Sequence, residues 1–301
     1  FRPYRDWQVC GMPAPSSGGI TTLEILGLLQ PFALGDMKPD SAAAVHLVAE
    51  ASRLAFADRD RYIADSDFVS VPAEGLLDRS YLAARAKLID PRHSLGHATA
   101  GDPPHRAGSF APQVSDEIPS TSHFSIVDDD GNAAAMTTSV ENVFGSRLMV
   151  RGFILNNELT DFSFVPSING EPVANRVEAG KRPRSSMAPT LVLDKDGRFV
   201  LAVGSPGGSR IIGFVTEAVI AMLDWHLDPQ AAVDLPHFVN RNGPTELEAE
   251  TPIEVLQGKL EALGEDIKIA RMNSGLHAIM RTSAGYLGGA DSRREGVALG
   301  D

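Results

Sequence analysis

Cysteine is almost missing from this chain: Cys10 stands alone among 301 residues. No intrachain disulfide can form and no thiolate-rich metal site can be built, which excludes a disulfide scaffold and a zinc-ribbon type of protein. Positive charge is scarce as well. Against 39 Asp and Glu stand 27 Lys and Arg, a formal net charge of −12, whereas phosphate backbones and anionic lipid surfaces attract clustered cations. Nucleic acid is not an expected partner. Long apolar runs are also lacking: the stretch from Ile211 to Trp225 is broken by Glu217 and Asp224 and stops short of the ~20 residues a bilayer-spanning helix needs. What is present is an ordinary globular composition, 43% hydrophobic and 22% charged, in a chain long enough for one large or two modest domains.

The chain opens Phe1-Arg2-Pro3-Tyr4-Arg5-Asp6-Trp7, neither a signal peptide nor a helix start, and is expected to begin inside a longer gene product. A short strand around Val9 runs into a turn-rich loop, Met12 to Gly19. Helices are expected over Ile20–Leu29, after the Asp40-Ser41 cap signal, and over Arg79–Leu88, from the apolar spacing and the breaker at Pro31. From Pro91 to Ser120, five Pro and three Gly with little apolar periodicity describe a loop or linker. The pattern then turns to β. His123–Val127 and Ala133–Ser139 flank an Asp-Gly turn at Asp130-Gly131, and Thr190–Leu193 and Phe199–Val203 flank a second at Asp196-Gly197. A glycine-rich turn, Gly204 to Ser209, opens a helix with Ile211, Ile212, Val215, Val219 and Met222. Shorter helices near Pro229–Val233 and Ile253–Leu263 precede an expected strand pair, Ile267–Ala270 with His277–Arg281. The class is α+β, with no internal repeat.

Few residues carry a chemical signal by spacing alone. His93 and His97 stand four apart, but Pro91, Gly96 and Pro103 break the helix that would place both imidazoles on one face. No metal or cofactor is expected. Gly204 to Ser209 presents backbone N–H groups at a helix N-terminus, yet lacks the Lys-Ser/Thr ending of a phosphate loop; the same geometry suits a developing oxyanion. Thr121 stands out by position. It follows the proline-bearing stretch and begins the first clear strand, so a cut between Ser120 and Thr121 would put a free α-amine beside a Thr hydroxyl, a pairing able to act as base and nucleophile.

Five ordered stretches then give the chain a likeness. Met12-Pro13-Ala14-Pro15-Ser16-Ser17-Gly18-Gly19, Thr121-Ser122-His123-Phe124-Ser125, Leu155-Asn156-Asn157-Glu158-Leu159-Thr160-Asp161-Phe162, Arg182-Pro183-Arg184-Ser185-Ser186-Met187-Ala188-Pro189 and Gly204-Ser205-Pro206-Gly207-Gly208-Ser209-Arg210 resemble the gamma-glutamyltranspeptidases. These are N-terminal-nucleophile hydrolases made as a precursor that cuts itself into a large and a small subunit. The resemblance implies a four-layer αββα core, with residues 1–120 the C-terminal part of a large subunit and residues 121–301 the small subunit. It implies that the rest of the large subunit is the physical partner, and that localisation is periplasmic or extracellular.

By the same resemblance Thr121 is the nucleophile for self-cleavage after Ser120 and for turnover of a small γ-glutamyl donor such as glutathione, with water or an amine as acceptor. Gly207 and Gly208 match the oxyanion-hole glycines. Ser185 and Ser186 match the pair that binds the donor's α-carboxylate, and Glu158 and Asp161 match the acids that hold its α-ammonium. Thr137 and Ser139 match a Thr-x-Thr pair in which Ser replaces the second Thr. Two features depart from many family members: Glu141 stands where Asn is common, and the stretch Phe164–Gly180 is shorter than the lid of some. The arginine that grips the α-carboxylate is expected in the missing segment. Glutaryl β-lactam acylase, poly-γ-glutamate depolymerase and an uncleaved binding protein are the alternatives on the same scaffold.

Overall fold

The computed structural model describes residues 1–113 and 120–300. In chain order the elements are β1 (Arg2–Tyr4), β2 (Trp7–Gly11), α1 (Gly18–Leu29), α2 (Ala42–Tyr62), α3 (Ala73–Leu76), α4 (Arg79–Ala86), β3 (Thr121–Val127) and β4 (Ala133–Ser139). Then come β5 (Met149–Val150), β6 (Phe153–Ile154), β7 (Ser167–Ile168), β8 (Glu171–Pro172), β9 (Thr190–Leu193), β10 (Phe199–Gly204), α5 (Ile211–Leu223) and α6 (Pro229–Val233). The last are β11 (Phe238–Asn240), β12 (Thr245–Glu248), α7 (Gln257–Glu261), β13 (Ile267–Ala270), β14 (His277–Thr282) and β15 (Gly285–Ala290).

Local chemistry sets the ends of these elements. Ser41 caps α2 by accepting from Ala44 N at 3.2 Å, and Asp78 caps α4 through Ser80 N and Tyr81 N. Asp228 caps α6, whose first residue is Pro229. The β3–β4 turn is closed by Asp128, which accepts from Asn132 N at 2.8 Å, with Gly131 at φ +81. All thirteen residues of α5 are buried, including Glu217, whose carboxylate is met by His237 at 2.9 Å; the rest of the helix is almost wholly apolar.

Six strands form one antiparallel sheet in the order β1-β2-β9-β10-β14-β15. Helices α1 and α5 pack against β2 and β10, while the β3–β4 hairpin lies against β10, β14 and β9. Strand β10 is buried throughout because it is covered from both sides. The class is α+β and the layers run helices, sheet, second sheet, the last represented by β3–β4. Its outer face carries Phe124, Ile126 and Met136, each more than 40% exposed.

Three expectations are corrected. The strands Ile267–Ala270 and His277–Arg281 are not partners: β13 pairs in parallel with β12 in a three-stranded sheet, and β14 enters the six-stranded sheet between β10 and β15. The connection between them carries the fully buried Ser274 and Leu276, whose burial draws the chain from one sheet to the other. The helix expected over Ile253–Leu263 splits into a 3-10 turn, Pro252–Leu256, and the short α7. Arg2–Tyr4, given no strand from its sequence, pairs as β1 with the expected strand around Val9, β2, in a hairpin that turns at Arg5, φ +52.

Candidate active site

The β3–β4 register decides which hydroxyls meet. Thr121 lies opposite Ser139, and His123 opposite Thr137. Thr121 Oγ1 donates to Ser139 Oγ at 3.3 Å, and Ser139 Oγ donates to the Ser120 carbonyl oxygen at 2.7 Å. The hydroxyl of Thr121 is thereby linked through one serine to the carbonyl of the peptide bond that precedes it. Glu141 N also donates to Ser139 Oγ, at 2.9 Å, holding that serine against rotation.

Thr137 has a different place from Ser139. Its hydroxyl meets His123 Nδ1 at 2.8 Å, and the other ring nitrogen meets Ser125 Oγ at 3.1 Å. Burial, and then the neighbouring His277, push the His123 pKa down to about 3, so the imidazole is neutral near pH 7. The ring packs where Gly204 lacks a side chain: a Cβ there would lie 2.2 Å from it.

A small cleft opens beside Thr121. It is lined by Thr121, Ser139, Glu141, Glu158, Asp161, Ser185, Ser186 and Gly208, with Met187 and Ile211 as apolar wall. Of the residues singled out by resemblance, Ser120, Thr137 and Gly207 are not in the lining. Gly207 and Gly208 stand at φ +140 and +61, where L side chains are strained, and lead through a 3-10 turn into α5. Backbone N–H groups at such a turn are unpaired by the helix itself.

The serine wall is built by two loops that approach closely. Ser17 N and Ser17 Oγ both donate to Ser185 O at 2.7 Å, and Ser16 Oγ donates to Met187 O. Gly18 permits this approach, since a Cβ would sit 2.4 Å from Met187 O. Behind the wall lies Arg59, buried at the end of α2, which donates from Nε to Ser17 Oγ at 2.9 Å and from Nη2 to Ser186 Oγ at 2.5 Å. Arg59 was not apparent from the sequence, where it is one arginine in a helical pattern. The hydroxyls it supports suit an anion.

The opposite wall is acidic. Glu158 and Asp161 come from a 3-10 turn, and Glu141 follows β4 at φ +71, only 5% exposed. Asn157 Nδ2 donates to Glu141 Oε2. Burial, and then the charge of Glu141, push Glu158 above the usual carboxylate value. Carboxylates so crowded suit a cation. Arg294, also missed in the sequence, reaches Thr121 from the far end of the chain: Nη1 donates to Thr121 O at 3.3 Å while Nε and Nη2 hold Asn273 at 3.1 Å.

His93 and His97 do not share a helix face. His93 sits by Asp90 and His97 Nδ1 by Asn242 O, both outside any helix. A buried group with metal-ligand donors, His46, Glu50 and Glu265, is threaded by Arg53, whose Nε binds Glu50 Oε1 at 2.9 Å and Nη2 binds Glu265 Oε2 at 2.8 Å. A guanidinium already fills the cation's place there.

The model of the gamma-glutamyltranspeptidase family matches residues 1–301. The glutathione hydrolase proenzyme of Escherichia coli is 38% identical over 97% of this chain and 50% of its own length. A cephalosporin acylase structure from Bacillus halodurans superposes with a TM-score of 0.79 at 26% identity, covering 97% of this chain and 51% of its own. A gamma-glutamyltranspeptidase chain from Pseudomonas nitroreducens matches 60% of this chain over 98% of its own length, with a TM-score of 0.53 and 32% identity. The chain spans about half the length of the curated relatives it matches. With the motif residues gathered on one cleft and the family model matched from end to end, the chain belongs to the gamma-glutamyltranspeptidase family.

Proposed function

We propose that this chain carries the nucleophile and donor pocket of a γ-glutamyl hydrolase or transferase that matures by cutting itself between Ser120 and Thr121. The observation that carries the reading is the hydroxyl relay from Thr121 through Ser139 to the Ser120 carbonyl oxygen. In maturation Thr121 Oγ1 attacks the Ser120 carbonyl carbon, the proton passes to the departing Thr121 nitrogen, and an ester replaces the amide. Water then hydrolyses the ester, leaving a Ser120 carboxylate and a free Thr121 α-amine. The share of this chain from Thr121 onward is close to the 60% covered by the Pseudomonas nitroreducens chain, which supports a cut at this point and a division into residues 1–120 and 121–301.

In turnover the α-amine takes the hydroxyl proton as Thr121 Oγ1 attacks the γ-carbonyl of the donor, and returns it to the leaving amine. Water or an acceptor amine resolves the γ-glutamyl ester. The N–H groups at Gly207 and Gly208 receive the oxyanion, each worth about 3 kcal/mol of barrier in comparable sites. Ser185 and Ser186, backed by Arg59, take the α-carboxylate; Glu158 and Asp161 take the α-ammonium; Ser139 positions the nucleophile, and Thr137 holds His123 on the same hairpin.

The exposed apolar faces of β3–β4 and of the segment 143–165, including Phe144, Met149, Phe153 and Phe164, fit contact with the rest of the large subunit. No helix is long and apolar enough to cross a membrane, and by kinship with its family the protein acts in the periplasm or outside the cell. A second reading, a glutaryl β-lactam acylase, is favoured by the likeness to a cephalosporin acylase, and a poly-γ-glutamate depolymerase is the other alternative on the same scaffold. The test is the intact mass and N-terminal sequence of the full-length product, followed by γ-glutamyl and glutaryl 4-nitroanilides. A fragment starting at Thr121 that releases nitroaniline from the γ-glutamyl compound supports the reading. An unbroken chain points to an uncleaved binding protein, and a strong preference for the glutaryl compound points to the acylase.

A further inference from the structure

The cleft holds more negative charge than one ammonium needs, and part of it cannot move away. Glu141 is locked: Asn157 donates to its Oε2 and accepts from Asn142 N at 2.9 Å, so one amide ties the carboxylate to its own loop. Glu158 Oε1 is buried with no hydrogen-bond partner among the described residues. A buried, unpartnered carboxylate oxygen beside a fixed second acid is costly while both are charged. Burial, and then the Glu141 charge, raise the Glu158 pKa and outweigh the hydrogen bonds with Ser139 and Asp161 that lower it.

The groups that face Glu158 are Glu141 from the loop after β4, Asp161 from its own turn, Ser139 from β4, and Ser185 and Ser186 from across the cleft. Arg59 stands behind Ser186 and is ion-paired with Asp60 at 2.8 Å. No Lys, Arg or His lines the cleft among the described residues. Two states relieve the repulsion: a proton on Glu158, or a cation from the ligand.

We propose that Glu158 holds a proton in the empty cleft and gives it up when a donor's α-ammonium enters, with Glu141 forcing the exchange, so that pH selects between donors with and without an α-amine. The inference rests on the donor-site reading above. In the step the Glu158 O–H bond breaks, the proton goes to bulk water, and an ammonium N–H donates to the carboxylate in its place. One positive charge enters and one leaves. A glutaryl donor has no ammonium and leaves Glu158 protonated, so acid penalises γ-glutamyl donors and spares glutaryl ones.

The experiment uses the full-length, processed protein and the ratio of kcat/KM for γ-glutamyl over glutaryl 4-nitroanilide, from about pH 5 to 8. Titration of the Thr121 amine and acid inactivation act on both donors and cancel in the ratio. A single coupled proton makes the ratio fall by up to about tenfold per pH unit on the acid side. Glu141→Gln moves that fall to lower pH, and Glu158→Gln flattens it. Calorimetry in two buffers of different ionisation enthalpy supplies a second readout that needs no turnover: L-glutamate releases protons on binding and glutarate releases none. A ratio independent of pH, or equal proton release by the two ligands, overturns the inference while γ-glutamyl turnover stands. Cleaved protein that neither turns over the γ-glutamyl anilide nor binds glutamate overturns the donor-site reading itself.

Discussion

Two of the acidic clusters among the described residues are built on opposite terms. Around Arg53, the carboxylates of Glu50 and Glu265 are met by a guanidinium, by Ser94 and Thr245 hydroxyls, by Leu95 N and by His46. In the cleft, Glu141, Glu158 and Asp161 crowd together and Glu158 keeps a buried oxygen without a partner. The first cluster is saturated by its own surroundings; the second leaves Glu158 Oε1 unsatisfied, which fits the proposed binding of a cation from outside. Buried polarity is a sign of binding only where its own surroundings fail to satisfy it.

The largest expected effect lies beside the acids, at Thr121, the proposed nucleophile. Thr121→Ala should leave the chain uncut by intact mass and lower anilide turnover by at least about 10⁴-fold, because both the attacking oxygen and the release of its amine are lost. Next comes the saturated cluster. Arg53→Met strands two buried carboxylates and should cost about 3–5 kcal/mol in denaturant unfolding, while the folded fraction keeps its KM. Glu158→Gln should do the reverse, raising KM for an ammonium-bearing donor about tenfold while leaving the fold no less stable at neutral pH.

A smaller contrast is the sign of the pH dependence. Burial pushes Glu265 up, but the His46 hydrogen bond and the Arg53 charge outweigh it and hold its carboxyl below the ordinary 4.5. That stabilisation is present above the unfolded pKa and is lost as pH falls through the folded one. Glu158 is raised instead, so it destabilises the fold above its folded pKa and ceases to do so as pH falls toward 4.5. Thermal melts across acid pH should therefore show Glu265→Gln removing an acid-side loss and Glu158→Gln removing a neutral-side cost. The smallest effect is expected at Arg294, whose bond to the Thr121 carbonyl is long and partly exposed: Arg294→Met should lower kcat about threefold to tenfold with KM unchanged.

Much of this was legible in the sequence where neighbours along the chain decide the outcome. The Ser41 and Asp78 caps, the Asp-Gly turns and the apolar run of α5 act over a few residues, and those elements lie where the periodicity puts them. The Thr121 region and the glycines at 207 and 208 were legible through motif likeness. Ile267–Ala270 and His277–Arg281 were readable as strands but not as partners, since pairing depends on which sheet buries Leu276. Arg59 and Arg294 carried no local signal, because each acts on residues more than forty positions away.

By itself the sequence determined the local elements and the chemical kinds of group available: a Thr at the head of a strand, paired serines, clustered acids, glycines before a helix. These follow from short-range sterics, capping and side-chain chemistry. Only the tertiary structure decided that Ser139 bridges Thr121 and Ser120, that Thr137 turns to His123, that Arg59 stands behind the serines, and that Glu158 is left with an unsatisfied oxygen against a fixed Glu141. Those outcomes depend on burial and on the meeting of distant strands, which set the electrostatic state of each group and are not encoded by the residues on either side of it.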